Sequence, residues 1–94
     1  MKHILIIKLK PNTNLNEFLM KSHSYFDQLV EEVEGIKSYQ FIENIVDREA
    51  NGDLMLIVDL ANKDMLKVYL DHPLHVEYAN YLAQFMELKL SLDY

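Results

Sequence analysis

Hydrophobic positions recur along the chain with two different periods, and the changes of period mark out its elements. Residues 3–9, HILIIKL, are rich in β-branched side chains, apolar on both faces and closed by Lys10, Pro11 and Asn12, which predicts a strand. Alternation puts His3, Leu5, Ile7 and Leu9 on one side, with Ile4 and Ile6 on the other. Leu15, Phe18, Leu19, Ser22, Phe26, Leu29, Val30 and Val33 then fall at helical spacing, predicting a helix to about Glu34. Asn14 stands where an N-cap belongs, and Glu17 is placed to complete a capping box. Gly35 is expected to end that helix in the left-handed conformation. A second strand follows over residues 36–45, with Tyr39, Phe41 and Ile45 on one side and Ile36, Gln40 and Asn44 on the other. After the polar turn DREANG, residues 54–60 form a third strand. It is again apolar on both faces, Leu54, Leu56, Val58 and Leu60 against Met55 and Ile57.

The next stretch, KVYLDHPLHVE from Lys67 to Glu77, gathers a phenol, two imidazoles and a proline. Asn62 is placed to cap a short helix leading to Tyr69. Pro73 has no N–H and a preset φ, which suits the first turn of a helix, and it biases His72 away from helical geometry. A break at His72 therefore separates a helix ending near Leu70 from one starting at Pro73, which carries Val76, Ala79, Tyr81, Leu82, Ala83, Phe85 and Met86. Such a reversal can bring Tyr69, His72 and His75 onto a common wall. At a helix N-terminus the positive dipole end disfavours an imidazolium, so His75 is expected neutral, the form a general base needs. The alternative is plain: Tyr69 as a core aromatic with its hydroxyl at the rim, and His72 as a helix cap. A last strand alternates Leu88, Leu90 and Leu92 with Lys89, Ser91 and Asp93.

The order strand, helix, strand, strand, helix, strand is the split βαβ pattern of a ferredoxin-like α+β fold with a four-stranded antiparallel sheet. Its helices cover one sheet face only. With the central first and third strands apolar on both faces, several hundred Å² of the other face left wet would cost on the order of 10 kcal/mol. A homodimer joined sheet to sheet is the expected cover. Ninety-four residues make one domain, 1–94, and a hydrophobic fraction of 50% with 2 Gly and 2 Pro is high for its size. That excess points the same way, to an interface or a ligand cavity. A net charge of −6 argues against nucleic acid as a partner, and strand-sized apolar runs argue against a membrane span. With no cysteine there is neither a disulfide framework nor a thiolate metal site. A cytoplasmic protein is the expectation.

In its KHILIIKLK start, GIKSY, YLDHPLH and closing LSLDY, the chain resembles the stress-responsive A/B barrel family over nearly its whole length. The resemblance implies a ferredoxin-like monomer pairing into a dimeric α/β barrel. A plant branch of that family consists of polyketide cyclases that work without a metal, with a tyrosine as acid and a histidine as base. Those roles fall on Tyr69 and His75, and the family's histidine at the start of the first strand falls on His3. On the third strand the cyclases line their pocket with a histidine, where this chain has an apolar residue around Leu54.

The expected cavity lies between helices and sheet. His3, His23, Phe26 and His72 are the candidate binding residues, Tyr69 and His75 the candidate catalytic pair, and no cofactor is implied. His23 borders the apolar stripe of the first helix and can equally be a boundary histidine in water. His72 and His75 are spaced for a metal on a helix, but His72 sits at the cap and no carboxylate completes a triad, so no metal is expected. There is no glycine-rich phosphate loop and no serine elbow. Three functions remain open: a dimeric barrel holding a small apolar molecule, a cofactor-free cyclase, isomerase or lyase, or a purely structural dimer.

Overall fold

The computed structural model describes residues 1–94 and contains the strands β1 (Lys2–Leu9), β2 (Ile36–Glu43), β3 (Leu54–Leu60) and β4 (Met86–Asp93). Between them lie the helices α1 (Leu15–Glu32), α2 (Met65–Asp71) and α3 (Pro73–Ala83). The sheet order is β2-β3-β1-β4 with every neighbouring pair antiparallel, the ferredoxin-like arrangement. No helix is long and apolar enough to cross a membrane.

The core forms where helix stripes meet one sheet face. Leu5 and Ile7 of β1 and Leu54, Leu56, Val58 and Leu60 of β3 are buried against Phe18, Phe26, Leu29 and Val33, with Tyr69, Tyr78 and Leu82 closing the layer. Ser22 sits on the α1 stripe because its hydroxyl bonds the Tyr78 hydroxyl at 3.0 Å, which removes the cost of burying either. Tyr78 was not among the apolar positions expected on the last helix, whereas the expected Val76 is exposed. That helix stops at Ala83, and Met86 already belongs to β4.

Local chemistry sets the ends of the elements. Asn14 caps α1 by accepting from the Glu17 amide at 3.1 Å. The helix then stops at an extended Val33, and Gly35 has no positive φ, so the expected left-handed ending does not occur. Gly35 serves close approach instead: a Cβ there would lie 2.2 Å from Cε and 2.7 Å from Cγ of Met65. In β2 a register shift between Ile36 and Ser38 reverses the parity of the first residue. Ile36 therefore faces the core together with Tyr39, not away from it, and Ile45 lies beyond the strand, exposed.

The face without helices carries Ile4, Ile6, Met55 and Ile57 in its centre, set by their cross-strand pairing. Leu92 and Leu90 pair with Ile4 and Ile6 and extend the same surface to the β4 edge, where they are 60% and 72% exposed. The loop after β2 overhangs one end, held by the Asp53 amide to the Ile7 carbonyl at 2.8 Å and by the Leu9 amide to Asp53 Oδ2 at 2.7 Å. Beneath it opens a groove of about 760 Å³ lined by Ile6, Ile42, Met55, Leu88 and Leu90 among others.

Gly35→Ala is expected to lower stability by about 1–3 kcal/mol in urea denaturation, through overpacking against Met65. In the Met65→Ala background the same substitution should cost much less, and equal costs in both backgrounds would exclude the contact as the cause.

Candidate active site

The break between α2 and α3 builds the site. In an unbroken helix the Tyr69 and Leu70 carbonyls would accept from residues 73 and 74. Pro73 has no N–H to give, and the Leu74 amide is taken by His72, whose Nδ1 accepts from it at 3.1 Å as the N-cap of α3. The Tyr69 carbonyl is satisfied by the His72 amide at 3.2 Å. The Leu70 carbonyl is left for a side chain, and His75 Nδ1 donates to it at 2.9 Å. A donating Nδ1 fixes the neutral tautomer with a free lone pair on Nε2. Burial holds the proton affinity of His75 below the ordinary histidine value, against the backbone bond, with the charges of His3 and Lys89 adding to the depression.

Tyr69 lies against His75 with ring centroids 4.5 Å apart, and against His3 at 5.8 Å in an edge-on arrangement. It is 1% exposed, and burial raises its pKa, so the phenol keeps its proton at any physiological pH. The hydroxyl bonds to no protein group, yet the structure has no sealed side-chain polar atom without a partner. The Tyr69 oxygen therefore keeps a small contact with solvent. His3, at the start of β1, is buried and its Nδ1 is hydrogen-bonded to Asp93 of β4. Asp93 was not among the sequence candidates, because only the β1–β4 register brings the two chain ends together.

The remaining candidates divide. Phe26 is buried and reaches Tyr69 with centroids 6.3 Å apart, forming an apolar wall. His23 is exposed and belongs to a separate relay over β2: its Nδ1 donates to the Tyr39 hydroxyl at 2.9 Å, which donates to Asp27 Oδ1 at 2.6 Å. Burial and the Asp27 carboxylate raise the pKa of Tyr39. His72 is spent on capping α3, and its Nε2 faces Glu32 at 3.8 Å, away from Tyr69. It lines a shallow groove of about 510 Å³ with Glu32, Met65 and Val68. No three histidine, aspartate or glutamate side chains converge as a metal cluster would require. Leu54, the apolar residue of the third strand, is buried in the core.

Because the folded-state pKa of His75 lies below the unfolded value of 6.5, the unfolded chain binds more protons as pH falls through that value. The contribution of His75 to stability is thus present above pH 6.5 and is lost as pH falls from there through the folded-state pKa. The drop in unfolding free energy between pH 7.5 and pH 5 should be smaller in His75→Gln than in the wild type, measured by urea titration at each pH. An unchanged drop would remove His75 as a source of the dependence.

Comparison with known proteins places this architecture. The chain is 26% identical over 99 residues to a stress-response A/B barrel domain-containing protein of Arabidopsis thaliana, with 99% of this chain and 83% of that one covered. A crystal structure of a dimeric ferredoxin-like protein of unknown function from Bacteroides fragilis superposes with a TM-score of 0.76 at 26% identity, covering 99% and 92% of the two chains. The hydroxynitrile lyase of Passiflora edulis shares the fold at a TM-score of 0.82 and 13% identity, with 99% and 89% covered. The family model described as the stress responsive A/B barrel domain matches residues 1–94, and with its βαββαβ sheet and the Tyr69–His75 break the chain belongs to that family.

Proposed function

We propose that this protein works as a homodimer joined through the helix-free sheet faces, and that each protomer holds a small, largely apolar molecule between helices and sheet at His3, Tyr69 and His75. The observation that carries the ligand site is the Tyr69 hydroxyl. It is attached to a ring 1% exposed, has no protein partner and is not fully sealed, so it is free to bond a polar atom of a bound molecule. Phe26 and the Tyr69 ring supply apolar walls. The dimer reading is supported by the dimeric state of the Bacteroides fragilis relative and by the exposed row Leu88, Leu90 and Leu92 beside Ile6. A facing sheet would cover these residues and the groove under the loop after β2.

Leu90→Glu should convert the protein from dimer to monomer in sedimentation equilibrium at micromolar concentration, with the far-UV spectrum unchanged, since Leu90 is 72% exposed within the protomer. A variant still dimeric would rule out the sheet-to-sheet interface. For the ligand site, gently purified protein should release a small organic molecule on denaturation, seen by mass spectrometry. Tyr69→Phe and His75→Ala should retain much less of it, while Tyr69→Phe changes stability by under about 1 kcal/mol because no protein hydrogen bond is lost. Equal retention in all three proteins would refute the site.

A second reading, a cofactor-free enzyme of the cyclase, isomerase or lyase type, is favoured by the tautomer of His75. Its Nδ1 is committed to the Leu70 carbonyl, so Nε2 is the basic atom, next to a phenol that stays protonated. His75 Nε2 would take a proton from the carbon beside a carbonyl while Tyr69 gives its own to the carbonyl oxygen, forming an enol. The same fold is also that of an enzyme, the hydroxynitrile lyase of Passiflora edulis. In D₂O, the wild type should speed deuterium uptake at the methylene of phenylacetone, followed by NMR. Loss of that acceleration in both Tyr69→Phe and His75→Ala is expected, and no acceleration by the wild type would count against this reading.

A further inference from the structure

The strand β4 has two unlike faces, and a sheet-to-sheet dimer accounts for only one. Its leucines belong to the helix-free side. On the other side Asp93 lies opposite His3, Ser91 opposite Leu5 and Lys89 opposite Ile7. The bond from His3 to Asp93 shows that this row points the same way as the buried residues of β1. Yet Lys89, Ser91 and Asp93 are all exposed, so no helix covers this edge of the layer. The result is an open polar strip running along β4 down to His3, beside Tyr69 and His75.

Lys89 is the cation of that strip. Like most of the chain's 9 basic residues it forms no ion pair, so its ammonium is free to meet an anion. Lys89 shares the strand face whose far end, Asp93, is bonded to His3. The Ser91 hydroxyl, between Lys89 and Asp93, has no hydrogen-bond partner within the chain and can donate. The Asp93 carboxylate is engaged by His3, at the far end of the row from Lys89.

We propose that Lys89 and Ser91 receive a carboxylate of the bound molecule, so that the site selects small organic anions with an apolar or aromatic body. The assignment rests on the ligand site proposed above and names its ligand class. An ammonium and a hydroxyl on neighbouring positions of one strand face match the two oxygens of a carboxylate. At about 3.3 Å per residue, the Lys89 and Asp93 backbones stand roughly 13 Å apart along β4. A carboxylate held at Lys89 therefore leaves room along that row for a body of one or two fused rings. A net charge of −6 repels anions from the molecule at large, so an unpaired cation on the strip acts through local contact and sets selectivity.

The test uses the full chain and two probes of nearly equal shape, 1-naphthoate and the neutral 1-naphthamide, titrated while the tyrosine and histidine ring signals are followed by NMR. Naphthoate should shift the Tyr69 and His75 rings and bind about fivefold more tightly than the amide, a modest factor because the lysine is exposed. Lys89→Met keeps the apolar stem and should abolish the preference, whereas Lys89→Arg should keep it. Equal affinity for the two probes, or a preference that survives Lys89→Met, overturns the anion assignment and leaves the ligand site standing. Silence of the Tyr69 and His75 rings with both probes overturns the site and the assignment together.

Discussion

β1 and β3 occupy the middle of the sheet and carry apolar side chains on both of its faces, while the three helices cover only one. Water is excluded from the helix side by Phe18, Phe26, Leu29, Tyr69 and Tyr78, and the remaining features follow from how that layer is closed. Phe26 lies at its centre, meeting Tyr78 with centroids 5.1 Å apart and Tyr39 at 5.3 Å, so α1, α3 and β2 share one aromatic contact network. Burial of this kind fixes the helices on the sheet. It thereby fixes the break between α2 and α3 above the start of β1.

That break turns a packing problem into chemistry. A proline removes one amide, a capping imidazole occupies the next, and the carbonyl released by the second step orients a second imidazole. The two histidines of one short motif therefore take opposite tautomers: His72 accepts at Nδ1, and His75 donates there. Only the second is left with its basic nitrogen available beside a phenol. The arrangement needs no charged partner for His75, which is consistent with burial being the main influence on it.

A second polar cluster shows that residue type alone does not make such a site. His23, Tyr39 and Asp27 form a hydrogen-bonded relay of the same residue kinds, but it lies over β2 at the opposite edge of the sheet, and His23 is exposed. Its tyrosine is fully engaged by a carboxylate, whereas the Tyr69 hydroxyl is free. Availability of the phenol, in a buried setting, separates the two.

The residue pattern alone determined the order of elements, the apolar stripe of α1, the two-sided character of β1 and β3, and the break at His72 and Pro73. These depend on periodicity and on the backbone limits of proline, which act over a few residues. Tertiary structure decided the rest. The bulge in β2 turned Ile36 inward, because one unpaired residue reverses the alternation that parity arguments use. Gly35 proved to be needed for the approach of Met65, a neighbour 30 positions on in sequence, rather than for its φ. Asp93 reached His3 only through the pairing of the first strand with the last, and His23 was carried away from the site by the direction in which α1 presents it. Contacts between distant parts of the chain depend on register and helix rotation, and neither is encoded by any local run of residues.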